Sequence, residues 1–139
     1  MKLSIIIPTY NSSNFIYDCI ESINNKTKKL DCEIYVIDNN SSDNTVSIVN
    51  KYFKNIHSIV NNKNYGYSVA VNKGILRAKG DFICVLNPDT TIISNAFEDL
   101  INYLKKNKQV GCVGPKILNH DGTFQFSCRR NFPYIRYLV

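Results

Sequence analysis

The chain alternates between short runs of consecutive apolar residues and longer segments in which apolar residues recur every three or four positions. The runs predict β-strands at residues 3–8, 33–38, 56–61, 82–87 and 110–113. The periodic segments predict helices at about residues 15–25, 44–53, 68–78 and 96–107. Strands that alternate with helices of this length are typical of βαβ units, so we expect an α/β fold with a mostly parallel sheet. After Gly114 the alternation stops, and residues 117–124 are expected to form a β-hairpin with Asp121-Gly122 in its turn.

Length and composition are typical of a single globular domain. The 139 residues are 44% hydrophobic and 20% charged, which suits a soluble domain with a sizeable core. No apolar run approaches the roughly 20 residues that span a bilayer. We therefore expect residues 1–139 to form one domain.

The net charge of +6 at pH 7 narrows the choice of partners. It suits a polyanion, an anionic membrane surface or a phosphorylated substrate. Nucleic acid is disfavoured, because no stripe of alternating basic and aromatic residues and no known binding motif accompanies the charge. Arg129, Arg130 and Arg136 cluster with aromatic residues near the C-terminus, and we treat them as a candidate contact for phosphate or for a membrane surface.

The five cysteines contain no Cys-x-x-Cys pair and no histidine spacing typical of zinc sites. An odd, unpaired set of this kind indicates a reducing cytoplasm. Cys32, Cys84 and Cys112 fall in apolar runs, where a free thiol is expected to act as a small core residue.

The fourth predicted strand runs directly into a carboxylate. Five apolar residues at 82–86 indicate a strand in the middle of the sheet, covered on both faces, and Pro88 ends it. Asp89 then follows the carboxyl end of a strand, where open α/β sheets bind their ligands. A carboxylate in that place can hold a divalent metal and, through it, a diphosphate. The sequence Asn87-Pro88-Asp89 is equally compatible with a capped turn that binds nothing.

Polar loops also follow the other three strands of this series. The first loop contains Pro8, Thr9, Tyr10 and Asn11, the second runs from Asp38 to Asp43, and the third covers residues 62–67. Since the carboxyl ends of parallel strands share one edge of a sheet, we expect all four loops to meet there. Each alone is an ordinary turn composition, but together they favour a site for a nucleoside diphosphate.

Individual residues in these loops suit different tasks. Asp38 can accept a hydrogen bond from an N–H donor such as a base imide, whereas Asp43 is better explained as a cap for the second helix. Gly66 permits a close approach of the backbone. We expect no dinucleotide site, because the Gly-x-Gly-x-x-Gly motif does not follow the first strand. A Gly-x-x-x-x-Gly-Lys-Ser/Thr phosphate loop is also absent from the sequence.

These loops and strands resemble the inverting glycosyltransferases of family 2. The matching segments are residues 4–11, 36–43, 64–74, 78–82 and 86–89. The Asn-Pro-Asp form, followed by residues 114–117 and 121–125, is most similar to the rhamnosyltransferase-like subgroup. The resemblance implies the Rossmann-like, nucleotide-sugar-binding half of a GT-A fold, ending here in a β-hairpin.

The resemblance also implies a set of site residues. Thr9, Tyr10 and Asp38 would contact the nucleoside, and the loop at residues 64–66 would border the base and ribose. Asn87 and Asp89 occupy the first and last places of the family's Asp-x-Asp motif, so Asp89 would hold Mg²⁺ or Mn²⁺. The full nucleotide-binding set is expected to be Pro8, Thr9, Tyr10, Asn11, Asp38, Asn64, Gly66, Asn72 and Asn87.

The implied donor is a dTDP- or UDP-linked sugar, and the implied acceptor is a glycan or a lipid-linked glycan in polysaccharide or cell-surface glycan synthesis. Inversion needs a general base, which in the family lies beyond the aligned segment. Glu98 and Asp99 lie on a predicted helix, where they are more typical of a solvent-facing surface. We therefore expect the base beyond Val139 and the chain alone to be inactive, lacking the acceptor-side part. The alternative is a non-catalytic nucleotide-binding or interaction module derived from this fold.

Overall fold

A computed structural model describes residues 2–128, except for the side chain of Ser127. It divides into two compact units, residues 1–98 and 99–139. The candidate membrane or phosphate contact at Arg129, Arg130 and Arg136 lies outside the described residues. Among the helices of residues 2–128, none has the length and hydropathy that a membrane crossing requires.

The first unit is built from strands that alternate with helices, as predicted. In chain order these are β1 (Lys2–Thr9), α1 (Ile16–Lys26), β2 (Asp31–Asp38), α2 (Thr45–Tyr52), β3 (His57–Val60), α3 (Tyr67–Ile75) and β4 (Phe82–Val85), followed by the start of α4 (Ala96–Lys106). The four strands are all parallel and lie in the order β3-β2-β1-β4. The predicted α/β architecture is therefore confirmed.

The register of the sheet brings the strand ends together. Thr9 pairs with Asp38, and Asp38 pairs with Val60. Past these ends the backbone pairing continues for one step: Asn39 N donates to Thr9 O at 2.8 Å, and Asn61 N donates to Asp38 O at 2.8 Å. We call this side of the sheet, where β1 to β4 end at Thr9, Asp38, Val60 and Val85, the carboxyl edge.

The core forms around β1, whose apolar run is covered on both faces. Ile5, Ile6 and Ile7 are fully buried. The apolar face of α1 is buried at Ile16, Cys19, Ile20 and Ile23, as the helical periodicity predicts. Helix α3 lies so close to β1 that a Cβ atom on Gly74 would overlap the side chain of Ile6.

Strand β4 differs from its predicted environment. Within residues 2–128 it lies at an edge of the sheet, and Ile83 and Val85 are 46% and 40% exposed. The expectation of a strand covered on both faces is wrong for these residues. The apolar run at 82–86 specifies a strand, but it does not specify which neighbours cover that strand.

The second unit contains the rest of α4, a 3₁₀ turn at Phe126–Cys128 and little other regular structure within residues 99–128. The predicted strand at 110–113 does not form, and Cys112 is exposed. Gly111 lies within this short run and Gly114 follows it, and glycine weakens a strand. The predicted hairpin is present in a short form: Leu118 and Phe124 make an antiparallel bridge, and Gly122 N donates to Asn119 O at 2.9 Å in the predicted turn.

Candidate functional site

Asp38 joins the ends of β1 and β2. Its carboxylate is fully buried. Oδ1 accepts hydrogen bonds from Thr9 Oγ1 at 2.8 Å and from Ser41 Oγ at 2.6 Å, and Oδ2 accepts from Ser41 N at 2.8 Å. A carboxylate offers about four acceptor positions, so these three bonds leave Asp38 one further position. In this arrangement the residue organises the first two loops.

Asn11 connects the same two loops from the other side. Its backbone N–H donates to Ser41 Oγ at 2.8 Å, and its side-chain Oδ1 accepts from Ser42 N at 2.9 Å. Asn11 has a φ of 50°, a left-handed conformation that asparagine tolerates better than most residues. The neighbouring Tyr10 is 51% exposed, so its ring face is accessible at the carboxyl edge.

Asp43 acts as the cap that the sequence predicts. Its carboxylate accepts from Thr45 N, the first backbone donor of α2, and from Ser13 N, each at 2.9 Å. Burial alone would raise the pKa of Asp43, but the hydrogen bonds from Thr45 and Ser13 outweigh it and lower the pKa to about 2. Asp43 thus fixes the start of α2 against the first loop.

The third loop is held by two buried asparagines, Asn39 and Asn61. Asn61 Nδ2 donates to Asn39 Oδ1 at 2.9 Å, and Asn39 Nδ2 donates to Gly66 O at 3.1 Å. Within the loop, Gly66 N donates to Asn64 Oδ1 at 2.8 Å. Gly66 has a φ of 84°, which only glycine adopts readily with this extended ψ.

Helix α3 contributes two neighbouring polar residues. Asn72 is exposed, whereas Lys73 is half-buried and its Nζ donates to Asn61 Oδ1. A hydrogen bond between side chains therefore connects α3 to the residue that follows β3.

The segment after β4 is held by hydrogen bonds to α1. Cys19 Sγ donates to Asn87 O at 3.7 Å, and Ile92 N donates to Ser22 Oγ at 3.0 Å. Burial raises the pKa of the Cys19 thiol to about 12, and the charge of Asp89 acts in the same direction. Thr90 N donates to Asn87 O at 3.3 Å, so the predicted turn is formed.

Asp89 and Asn87 present exposed side chains at the carboxyl edge. Within residues 2–128 no group of three or more His, Cys, Asp or Glu side chains could enclose a metal ion. Mg²⁺ commonly uses only one or two carboxylates and takes its other ligands from water and phosphate. Asp89, with the amide oxygen of Asn87 two residues before it in sequence, fits a metal of that kind and not one that needs a complete protein cage.

Comparison with known proteins identifies the family of this chain. Residues 4–137 match the family model described as Glycosyl transferase family 2. The chain belongs to glycosyl transferase family 2. The predicted family is thus confirmed, while inversion, the rhamnosyltransferase-like subgroup and the individual site residues stay predictions.

Two bacterial relatives illustrate the match to this family 2 domain. The chain is 35% identical over 113 residues to a poly(ribitol-phosphate) beta-glucosyltransferase of Bacillus spizizenii, covering 78% of this chain and 18% of the relative. It is 34% identical over 117 residues to the poly(ribitol-phosphate) beta-N-acetylglucosaminyltransferase TarP of Staphylococcus aureus, covering 81% and 36%. The family 2 domain described here therefore spans little more than a third of such relatives at most.

Solved structures agree with the fold. Residues 1–349 of S. aureus TarS superpose with a TM-score of 0.68 at 29% identity, over 78% of this chain and 33% of that one. The same TarS segment is also known in complex with UDP, with a TM-score of 0.67. The mannosyltransferase PcManGT of Pyrobaculum calidifontis, in complex with GDP-Man and Mn²⁺, has a TM-score of 0.66 at 20% identity over 73% of this chain and 32% of that one, and this second likeness concerns the fold alone.

The sequence motifs do not identify the residues whose hydrogen bonds hold the loops of the candidate site together. Several contacts between loops are made by residues outside the predicted set: Asn39, Asn61, Ser41, Cys19 and Ser22. A polar residue directly after a strand is the signal that could have identified Asn39 and Asn61. Nothing local in the helical pattern of α1 indicates that Cys19 and Ser22 reach the segment after β4.

Proposed function

We propose that this family 2 domain binds a nucleoside diphosphate sugar with the help of a divalent metal. The protein would transfer the sugar, with inversion, to a glycan or lipid-linked acceptor during polysaccharide or cell-surface glycan synthesis. The observation that carries the proposal is the exposed Asp89 carboxylate, which makes no hydrogen bond or salt bridge within residues 2–128. It lies at the carboxyl edge, where the loops after β1 and β2 are already cross-linked by polar side chains.

The nucleoside would occupy the space beside the first three loops. The exposed ring of Tyr10 offers a stacking surface for a base. Asp38 is fully buried, so it would accept a hydrogen bond from an imide N–H only after the loop that contains Ser41 moves. Thr9 contributes by holding Asp38 in place. The other members of the proposed nucleotide-binding set are Pro8, Asn11, Asn64, Gly66, Asn72 and Asn87.

Asp89 would hold Mg²⁺ or Mn²⁺, with Asn87 beside it. When bound, such a metal neutralises the charge that grows on the leaving nucleoside diphosphate. Replacement of the family's first aspartate by Asn87 leaves one carboxylate in the motif. Binding of the metal should therefore depend strongly on the diphosphate.

We assign no general base within residues 2–128. Glu98 is half-buried and Asp99 is exposed on α4, and both are explained as surface residues of that helix. We propose a dTDP- or UDP-linked donor, a rhamnosyltransferase-like activity of the protein that contains this single nucleotide-sugar-binding domain, and a cytoplasmic location at the inner face of the membrane.

Calorimetry with dTDP, UDP and GDP, each with and without Mn²⁺, tests the proposal. We expect Mn²⁺ to strengthen binding of at least one nucleotide, and Asp89→Ala to remove that effect. Asp31→Ala is the matched control, because Asp31 is an exposed carboxylate at the opposite end of β2. Binding that ignores Asp89 would contradict the metal site, and an absence of binding to any nucleotide would contradict the function.

An assay of sugar transfer separates the enzyme from the alternative, a non-catalytic nucleotide-binding module. Transfer by the protein that contains this domain, lost in Asp89→Ala, supports the enzyme. Nucleotide binding without transfer to any glycan or lipid-linked acceptor supports the module. Transfer by the 139-residue chain itself would show that a general base lies within it.

A further inference from the structure

Three side chains form a continuous hydrogen-bonded relay from α3 to the third loop. Lys73 Nζ donates to Asn61 Oδ1, Asn61 Nδ2 donates to Asn39 Oδ1 at 2.9 Å, and Asn39 Nδ2 donates to Gly66 O at 3.1 Å. Both asparagines are buried, and Lys73 is half-buried. The relay ends on the backbone of a loop that contains two of the proposed nucleoside-binding residues, Asn64 and Gly66.

The lysine sets the direction of the whole relay. An ammonium group can only donate, so the oxygen of Asn61 must face Lys73 and its NH₂ group must face Asn39. Asn39 then accepts through its oxygen and has its own NH₂ group left to donate to Gly66 O. Tyr65 N also donates to Asn39 Oδ1, at 3.4 Å, which fits the same orientation of that amide.

No carboxylate forms a salt bridge with Lys73 in the part of the chain that the structure describes. The ammonium is therefore available to strengthen the bond to Asn61, since hydrogen bonds from a charged donor are stronger than neutral ones. Gly66 O also accepts from Ala70 N at 3.3 Å, at the start of α3. The relay thus fixes both the loop and the first turn of the helix that follows it.

We propose that Lys73 is a positioning residue, which acts through Asn61 and Asn39 to hold the loop at residues 62–66 in the conformation that borders the nucleoside of the donor. This inference rests on the proposed nucleotide-sugar function. Lys73 itself need not touch the nucleotide, and its contribution would be the order of the loop before the donor binds.

Three substitutions at Lys73 test whether its hydrogen-bond donor orders the loop, or whether the packing of its side chain is sufficient. Lys73→Met keeps the aliphatic stem and removes the donor, Lys73→Arg keeps a group that only donates, and Lys73→Glu supplies an acceptor. With glutamate, Asn61 would turn its NH₂ group toward residue 73, and Asn39 would then turn its oxygen toward Gly66 O. Lys51→Met is the control, because Lys51 is an exposed lysine on α2.

The first measurement is amide hydrogen exchange by NMR without nucleotide, at Tyr65 N and at the side-chain amides of Asn39 and Asn61. The second is the affinity for the nucleotide that binds the wild type best. We expect Lys73→Met to exchange faster and to bind about tenfold more weakly, with Lys73→Glu weaker still. Lys73→Arg should stay within about threefold of the wild type, because it preserves the donor.

A thermal unfolding curve recorded for each variant shows whether the protein is still folded at the temperature of the binding measurement. Wild-type exchange in Lys73→Met would overturn the relay, and faster exchange with unchanged affinity would overturn its effect on the nucleoside. A wild type that binds no nucleotide would contradict the proposed function instead, and the exchange rates would still decide whether Lys73 orders the loop.

Discussion

Thr9 Oγ1 donates a 2.8 Å hydrogen bond to Asp38 Oδ1, and the two residues are register partners at the ends of β1 and β2. Both are buried. A buried carboxylate is stable only where donors replace its lost hydration. Thr9 and Ser41 supply those donors. The hydrogen bond from Thr9 to Asp38 therefore contributes both to the stability of the sheet and to the geometry of the candidate site.

Thr9→Val should therefore weaken both folding and nucleotide binding. Valine has nearly the shape of threonine but leaves Asp38 without one of its three donors. We expect a loss of about 1–2 kcal/mol in the free energy of unfolding, measured by urea denaturation, and weaker nucleotide binding by calorimetry. Thr91→Val, at an exposed threonine, should change stability by no more than about 0.5 kcal/mol. Equal effects of the two substitutions would contradict the assignment.

Glu33 should make the stability of the domain vary with pH in the acid range. Its carboxylate accepts from Ser4 Oγ at 2.6 Å and Lys79 N at 2.7 Å, and it pairs with Lys2 Nζ at 2.6 Å. Burial would raise the pKa of Glu33, but the hydrogen bonds from Lys2, Ser4 and Lys79 outweigh it and lower the pKa from 4.5 to about 2. The unfolded chain therefore binds the proton first as the pH falls.

Stability contributed by Glu33 should thus be fully present above about pH 4.5 and lost as the pH falls toward 2. Urea denaturation at a series of pH values measures this dependence. Glu33→Gln should cost about 1–3 kcal/mol at pH 7 and should flatten the decline of stability in acid. A variant with the wild-type pH dependence would show that other carboxylates cause the decline.

The elements that were predicted well are those specified by local pattern. The apolar run at the start of the chain gave β1, and the spacing of Ile16, Cys19, Ile20 and Ile23 gave the buried face of α1. Asp43 was predicted as a cap because a carboxylate just before a helix can bond to the helix N–H groups nearby. In each case the partners lie within a few residues or follow from one periodicity.

The features that were missed depend on contacts between distant segments. Asn39 and Asn61 lie 22 residues apart and meet only because β2 and β3 are neighbours in register. The exposure of Ile83 likewise depends on what lies beside β4, which the apolar run itself does not encode. A sequence pattern indicates that a residue is polar or apolar, but the sheet order decides which partner it finds.

Gly80 should be intolerant of any side chain. A Cβ atom at this position would lie 2.6 Å from Ser4 N, 2.7 Å from Ser4 Oγ and 2.8 Å from Lys2 O. Two of these atoms belong to the backbone of β1, which cannot move without disturbing the sheet. Gly80→Ala should therefore destabilise the domain by about 1–3 kcal/mol, measured by urea denaturation.

Gly114 provides the matched control for this substitution. A Cβ atom there would have nothing within 4 Å among residues 2–128, and its backbone is not in the left-handed region. Gly114→Ala should leave the unfolding free energy within about 0.5 kcal/mol of the wild type. A Gly80→Ala variant as stable as Gly114→Ala would mean that the contact between residue 80 and β1 is looser than the structure indicates.

Ser22 should affect the metal-dependent part of nucleotide binding. Its hydroxyl donates to Cys19 O at 2.7 Å and accepts from Ile92 N at 3.0 Å, so it ties α1 to the segment that carries Asp89. Ser22→Ala frees that segment on one side while the Cys19 contact to Asn87 O remains. We expect the affinity measured with Mn²⁺ to fall about threefold to tenfold, with little change in its absence.

Measuring the affinity with and without Mn²⁺ distinguishes this effect from a general loss of structure, which would weaken binding under both conditions. Ser47→Ala is the control, because Ser47 is an exposed serine on α2 and should leave both affinities unchanged. Calorimetric titrations of the wild type and the two variants with the same nucleotide, at equal Mn²⁺ concentration and again in chelator, measure all the values needed. A metal-independent loss in Ser22→Ala would show that α1 supports the nucleoside loops and not the segment at Asp89.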